Sequence, residues 1–124
     1  MTISVQRALA DYFHYQAEWR REKANEYSED ERNLRSAAGL DELAGYVLGL
    51  SDVDERIRDL EKLVIYGGVA SLGESARYAV SRFGFLDQRE DADAFITQLV
   101  RLATEDALGV WRDEFSKGQM GKEQ

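Results

Sequence analysis

Two polar residues occupy helix positions where apolar side chains are expected. On a helical wheel, Asp106 falls among the apolar residues of the last predicted helix, where an unpaired charge is expensive to bury. Gln16 holds the equivalent position on the first predicted helix. Either Asp106 pairs with an Arg or a Tyr hydroxyl of a neighbouring helix, or the two side chains orient a ligand and burial raises the pKa of Asp106.

A ligand pocket between helices needs apolar walls as well as polar groups. In this hypothesis, Asp106 and Gln16 orient a small molecule between aromatic side chains. The predicted lining residues are Tyr12, Phe13, Trp19, Phe95 and Trp111.

His14 is the single histidine of the chain, and Asp11 and Glu18 lie on the neighbouring turns of the same helix face. That face is opposite the apolar stripe, so we expect solvated ion pairs rather than a metal site or an acid–base pair. The chain has no Cys to hold zinc or an iron–sulfur cluster, and the Glu-x-x-His pattern of di-iron bundles is absent. The sequence therefore predicts neither a metal nor a cofactor.

Motifs for enzymatic or nucleic-acid chemistry are weak. The glycine-rich run 67–73 has neither the Lys nor the preceding strand of a phosphate-binding loop. A helix–turn–helix over 63–83 would place Asp59, Glu61 and Glu74 close to a duplex. No Gly-x-Ser-x-Gly elbow occurs. We identify no catalytic residue and expect a protein that is not an enzyme.

The length and charge of the chain limit the class of protein and the partners it can have. The chain has 124 residues, a formal net charge of −8 and no Pro. This length supports one domain with a packed core, and the acidic balance opposes binding to nucleic-acid phosphates. The most apolar stretch, 43–50, is far shorter than the roughly 20 residues that span a bilayer, and no secretory signal is visible. We expect a cytoplasmic protein whose partner is neither a nucleic acid nor a membrane.

Apolar residues recur at helical spacing throughout the chain, and no strand pattern appears. Predicted helix starts, each with a carboxylate three residues later, are Ser28, Ser51, Ser71 and Asp87, while glycines 39, 67, 68 and 84 are predicted stops. A further helix covers 41–50. The first helix, over 4–27, has a predicted inner stripe of Val5, Leu9, Tyr12, Phe13, Gln16, Trp19, Lys23 and Tyr27.

These segments predict an all-α fold, an antiparallel bundle of five to six helices with the long N- and C-terminal helices as its main walls. The last helix is expected to end near Phe115. Residues 1–116 then form a single domain, and residues 117–124 form a disordered polar C-terminal tail.

The segment 40–50 carries the clearest pattern for association. Gly45 and Gly49 lie one turn apart within a predicted helix, beside Tyr46 and Leu48. A glycine inside a helix costs about 0.5–1 kcal/mol relative to Ala, so close packing is needed to offset it. Either another helix of the same chain packs there, or the segment forms an association surface.

The sequence thus predicts a non-enzymatic helical bundle that acts through protein–protein association, first with a second copy of itself and otherwise with another protein. A small-molecule-binding bundle is the alternative.

Overall fold

All the regular secondary structure in the part of the chain that the structure describes is helical. The computed structural model describes residues 4–63, 72–85 and 90–122, with residues 110–122 described by backbone alone. Within these ranges the helices are α1 (Val5–Glu26), α2 (Arg32–Leu48), α3 (Glu55–Leu63), α4 (Glu74–Ser81) and α5 (Ala92–Lys122). No strand occurs among the described residues, which confirms the predicted all-α class.

Helix α1 begins where predicted, because the Ser4 hydroxyl oxygen accepts the Arg7 backbone N–H at 3.2 Å. Its buried face differs from the predicted stripe. Trp19 and Tyr27 are exposed, whereas the buried residues lie at heptad-like spacing: Leu9, Ala10, Phe13, Ala17, Arg20 and Ala24. Three of these six residues are alanines, and α2 is the main neighbour of α1.

Helix α2 is one continuous element, so the predicted break at Gly39 is wrong. A Cβ at Gly39 would lie 3.4 Å from Cε1 of Phe83, which is an ordinary van der Waals distance, so this residue lies beside the ring inside the helix instead of ending it. The predicted start at Ser28 is also wrong. The Asp30 carboxylate accepts the Arg32 backbone N–H at 3.0 Å, and α2 begins at Arg32.

Helix α3 also begins later than the predicted start at Ser51. The Asp54 carboxylate accepts the Arg56 backbone N–H at 2.9 Å just before the helix. Ile57 and Leu60 are buried, but Val53, which the helical spacing places with them, is exposed because it lies in the preceding turn. The predicted stop at Gly67 and Gly68 and the starts at Ser71 and Asp87 lie outside the described residues.

Helical spacing predicts an inner face for the helix after Ser71 that is made of Leu72, Ala76, Ala79, Val80 and Phe83. The structure confirms it on and beside α4, since all five residues are buried or half-buried. Helix α5 extends past Phe115 to Lys122, so residues 117–122, which the sequence assigns to a tail, are helical. The domain boundary at residue 116 stays a prediction.

The two longest helices have different principal neighbours. Helix α1 packs along α2, and α5 packs against α4, α3 and α2. Contacts between α1 and α2 run in opposite order along the two helices. The Gln6 amide donates to the carbonyls of Val47 and Leu50 at 2.9 and 2.7 Å, while Arg20 donates to Asn33 at 3.2 Å near the start of α2.

A short junction joins α2, α4 and α5. The hydroxyl of fully buried Ser36 donates to the Phe83 carbonyl at 2.7 Å. The Phe83 ring packs edge-on against Phe95, with 4.6 Å between ring centres. Gly84 then takes a φ of 71°, and a Cβ there would lie 3.3 Å from the Ser36 Cα. The Ser36 hydrogen bond and the Gly84 contact both depend on close backbone approach.

Replacing Ser36 with Ala tests this junction. The variant leaves the buried Phe83 carbonyl without its donor, so we expect the free energy of unfolding to fall by about 1–3 kcal/mol. Urea unfolding followed by circular dichroism measures it. Ser81→Ala is the matched control, because it removes a 2.8 Å hydrogen bond to the Tyr78 carbonyl at an exposed site where water can replace it. Equal losses in the two variants would contradict the proposed importance of burial at Ser36.

Candidate functional site

Asp106 positions the N-terminus of α4. One oxygen of its carboxylate accepts the backbone N–H groups of Ser75 at 2.9 Å and Ala76 at 3.2 Å. These are among the N–H groups that a helix leaves unpaired at its start, and the negative charge lies at the positive end of the helix dipole. The prediction that Asp106 pairs with an Arg or a Tyr hydroxyl is wrong, because its partners are backbone groups.

Gly73 makes room for this contact. It has a φ of 93°, and a Cβ at that position would fall 2.5 Å from both Cβ and Oδ2 of Asp106. Glycine therefore serves here both for its backbone conformation and for the space it leaves. The hydrogen bonds join residues about thirty positions apart, so no local sequence pattern reveals the pair.

The predicted aromatic pocket residues separate into different surroundings. Tyr12 is half-buried beside Gln16, and burial raises the pKa of the Tyr12 hydroxyl. Phe13 is completely buried in the core, with its ring centre 6.3 Å from that of Tyr12, whereas Trp19 lies at the surface. Phe95 packs on Phe83 in the core. The side chain of Trp111 lies outside the described residues.

Phe95 also lines a surface cleft of about 390 Å³ beside Tyr78, Arg82 and Glu90. Glu90 reaches into an adjoining cleft of about 420 Å³ as well. Burial raises the pKa of the Glu90 carboxyl, and the Gly84 backbone N–H partly opposes the shift by donating to it. Neither cleft includes Asp106 or Gln16, so the predicted polar anchors and Phe95 lie apart.

His14 belongs to a surface ion-pair group, as expected, but with a different partner. Its Nδ1 lies 2.9 Å from Oδ1 of Asp41 on α2 rather than beside Asp11. Arg21 also binds Asp41 and connects it to Glu18. Within the described residues, no group of three or more His, Cys, Asp or Glu is arranged to hold a metal ion.

Tyr46, predicted as an interface residue, takes part in a network that joins α2, α3 and α5. Its hydroxyl donates to Asp93 and accepts from Arg56 at 3.2 Å. Arg56 also binds Asp93 at 2.6 Å and Asp54 at 3.1 Å. Donation to the Asp93 carboxylate raises the pKa of Tyr46, and the same contacts hold the pKa of Asp93 below its usual range. The Tyr46 hydroxyl therefore has its hydrogen-bond partners within the chain.

The outer face of α2 is exposed and partly apolar. Gly45 is exposed within the helix, and a Cβ there would meet no described atom within 4 Å, so packing among the described residues does not explain this glycine. Gly49 is the C-cap rather than an interior residue. Leu48 is 45% exposed and Leu34 56% exposed, and Val53 after the helix is 66% exposed. We call Gly45, Leu48, Gly49 and Val53 the α2 patch.

A second feature is a cluster of cations around two aromatic rings, which the sequence analysis did not identify. The Arg20 guanidinium lies 4.4 Å from the ring centre of Phe85 and 4.9 Å from that of Trp19. Arg32 and Arg82 lie 4.8 and 5.9 Å from the Phe85 ring centre. The heptad spacing of Phe13 and Arg20 is the pattern that would have indicated burial of Arg20.

Comparison of the chain with protein-family models, with curated proteins and with solved structures finds no match in any of the three. Among the described residues, no helix is both long enough and apolar enough to cross a membrane. The proposed function rests on the α2 patch and its surroundings.

Substitution of Asp106 tests its part in positioning α4. Asp106→Ala removes the acceptor for two N–H groups, so we expect a loss of about 0.5–2 kcal/mol in the free energy of unfolding, the range for losing a helix cap. Asp106→Asn keeps an acceptor oxygen and is expected to lose less. Urea unfolding measures both variants.

Glu105→Ala is the control, because it removes a neighbouring exposed carboxylate on the same helix. If Asp106→Ala were no more destabilising than Glu105→Ala, the contact with α4 would contribute nothing measurable.

Proposed function

We propose that the protein is not an enzyme and acts by association with a second copy of itself through the α2 patch. The observation that carries this proposal is Gly45. It is an exposed glycine inside a helix, where it costs about 0.5–1 kcal/mol relative to Ala. No described residue packs on it to offset that loss, and a second helix lying across bare backbone would do so.

The apolar residues around Gly45 support the same surface. Leu48 and Val53 are large apolar side chains exposed close to Gly45 in the chain, and they lose contact with water when another surface covers them. Helix α2 has 17 residues and is about 25 Å long. Two copies crossing at Gly45 would bury this face symmetrically, which is the usual geometry of a homodimer.

Net charge predicts how such a dimer responds to salt. Each chain carries a formal charge of −8, so two copies repel one another. Salt at about 0.15 M limits charge interactions to about 8 Å. An interface made of apolar contacts should therefore strengthen as salt rises, whereas a complex with a basic protein should weaken.

The finer architecture belongs to the same proposal. We infer an antiparallel bundle in each copy, since contacts run in opposite order along α1 and α2. The proposed setting is the cytoplasm. Neither a nucleic acid nor a membrane is proposed as a partner, because the chain is acidic. The aromatic pocket has less support, since the Asp106 carboxylate binds α4 and Phe13 and Phe95 fill the core.

Light scattering and sedimentation at micromolar concentration test the dimer. We expect a mass of twice the 14.1 kDa of one chain, with a smaller dissociation constant at higher salt. Gly45→Ala should separate folding from association. It raises the free energy of unfolding of the dilute monomer by about 0.5–1 kcal/mol through helix propensity, and it weakens the dimer by holding the helices apart.

Gly109→Ala is the matched control, because Gly109 is also helical and a Cβ there meets nothing within 4 Å. It should stabilise the monomer similarly and leave the dimer unchanged. A 14.1 kDa species at every salt concentration would refute self-association, and equal effects of the two glycine variants on the dimer would place the interface elsewhere.

A further inference from the structure

The cluster around Phe85 contains two cations, Arg20 and Arg82, that form no ion pair with a carboxylate among the described residues. Arg20 is only 9% exposed, and its guanidinium donates to Asn33 at 3.2 Å and to the Ser81 carbonyl. Both acceptors are neutral, and the buried Nε of Arg20 has no hydrogen-bond partner. A buried charge is expensive unless a counter-charge and hydrogen bonds compensate it.

Arg82 is the second such cation. It is partly exposed, and its guanidinium donates to the Tyr78 hydroxyl at 3.0 Å, again a neutral acceptor. Burial and then the nearby positive charge of Arg82 lower the pKa of Arg20, so the two charges act on one another. Two like charges placed this close repel one another, and an anion bound beside them would offset that repulsion.

The other two cations of the cluster are already neutralised. Lys23, whose ammonium lies 5.6 Å from the ring centre of Trp19, binds Glu26 at 3.0 Å. Arg32 binds Asp30 through several hydrogen bonds, the shortest at 2.7 Å. Arg32 holds the pKa of Asp30 at about 2, so this pair stays charged. Glu26 and Asp30 therefore pair with other cations and do not neutralise Arg20 and Arg82.

We propose that Arg20 and Arg82, beside the ring of Phe85, form a binding site for a small oxyanion, a phosphate or a carboxylate. The anion binds to the guanidinium of Arg82, the more exposed of the two, and Arg20 adds its charge from beneath. A guanidinium presents donors in a planar fork that matches both kinds of oxyanion. The rings of Trp19 and Phe85 hold the Arg20 guanidinium in place through cation–π contacts.

Calorimetric titration of the full chain tests the site. Inorganic phosphate and acetate are titrated separately at constant pH and ionic strength, with chloride as the reference anion. Binding of phosphate alone identifies a phosphate site, and binding of acetate as well extends it to carboxylates. Arg82→Gln should weaken binding about tenfold or more, since it removes a charge-assisted hydrogen-bond donor.

Arg101→Gln is the matched control, because it removes one positive charge from an exposed position on α5 and should leave the affinity unchanged.

A second measurement locates the anion. The chain has two tryptophans, so in a Trp111→Phe background fluorescence reports on Trp19 alone, and phosphate should change its emission. The proposal is overturned if neither phosphate nor acetate binds more than chloride does, or if Arg101→Gln weakens binding as much as Arg82→Gln.

Discussion

The fold depends on the close approach of the chain at Phe83 and Gly84 to the middle of α2. Gly39 lies beside the Phe83 ring, Ser36 binds the Phe83 carbonyl, and the left-handed conformation of Gly84 brings its backbone against Ser36. Phe95 closes the junction from α5. Because these contacts involve backbone or small residues, they tolerate little displacement, and they determine where α4 and α5 lie relative to the α1–α2 pair.

Helix ends are then satisfied from distant parts of the chain. Asp106 of α5 caps the start of α4, and Gln6 of α1 binds the Val47 carbonyl in the last turn of α2 and the Leu50 carbonyl just after that helix. Each contact supplies hydrogen bonds that a helix terminus lacks, and each also fixes the position of one helix against another. Capping therefore acts here as tertiary structure, which is why α4, with only eight residues, has a defined place in the fold.

The helical class, the start of α1 and the inner face of α4 could be predicted because they follow from local periodicity and local capping. The continuity of α2 through Gly39 could not be predicted, since the local sequence does not distinguish a glycine that ends a helix from one that lies inside it. The buried face of α1 differs from the predicted stripe because the prediction placed the large aromatic residues Trp19 and Tyr27 inside. The buried face instead includes Ala10, Ala17 and Ala24. Asp106 was singled out correctly as unusual, but its partners lie in backbone that no side-chain pattern encodes.

Residues that violate local rules fall into two groups once the contacts are known. Gly73 and Asp106 each have a structural reason within the chain, because each allows or makes a contact between distant helices. Among the described residues, Gly45 and Arg20 do not, since one meets no neighbouring side chain and the other is a buried cation with neutral acceptors only. Sequences that fold to one structure tend to satisfy such rules except where function requires otherwise. The unsatisfied residues therefore point to contacts with other molecules, one apolar at α2 and one anionic at Phe85.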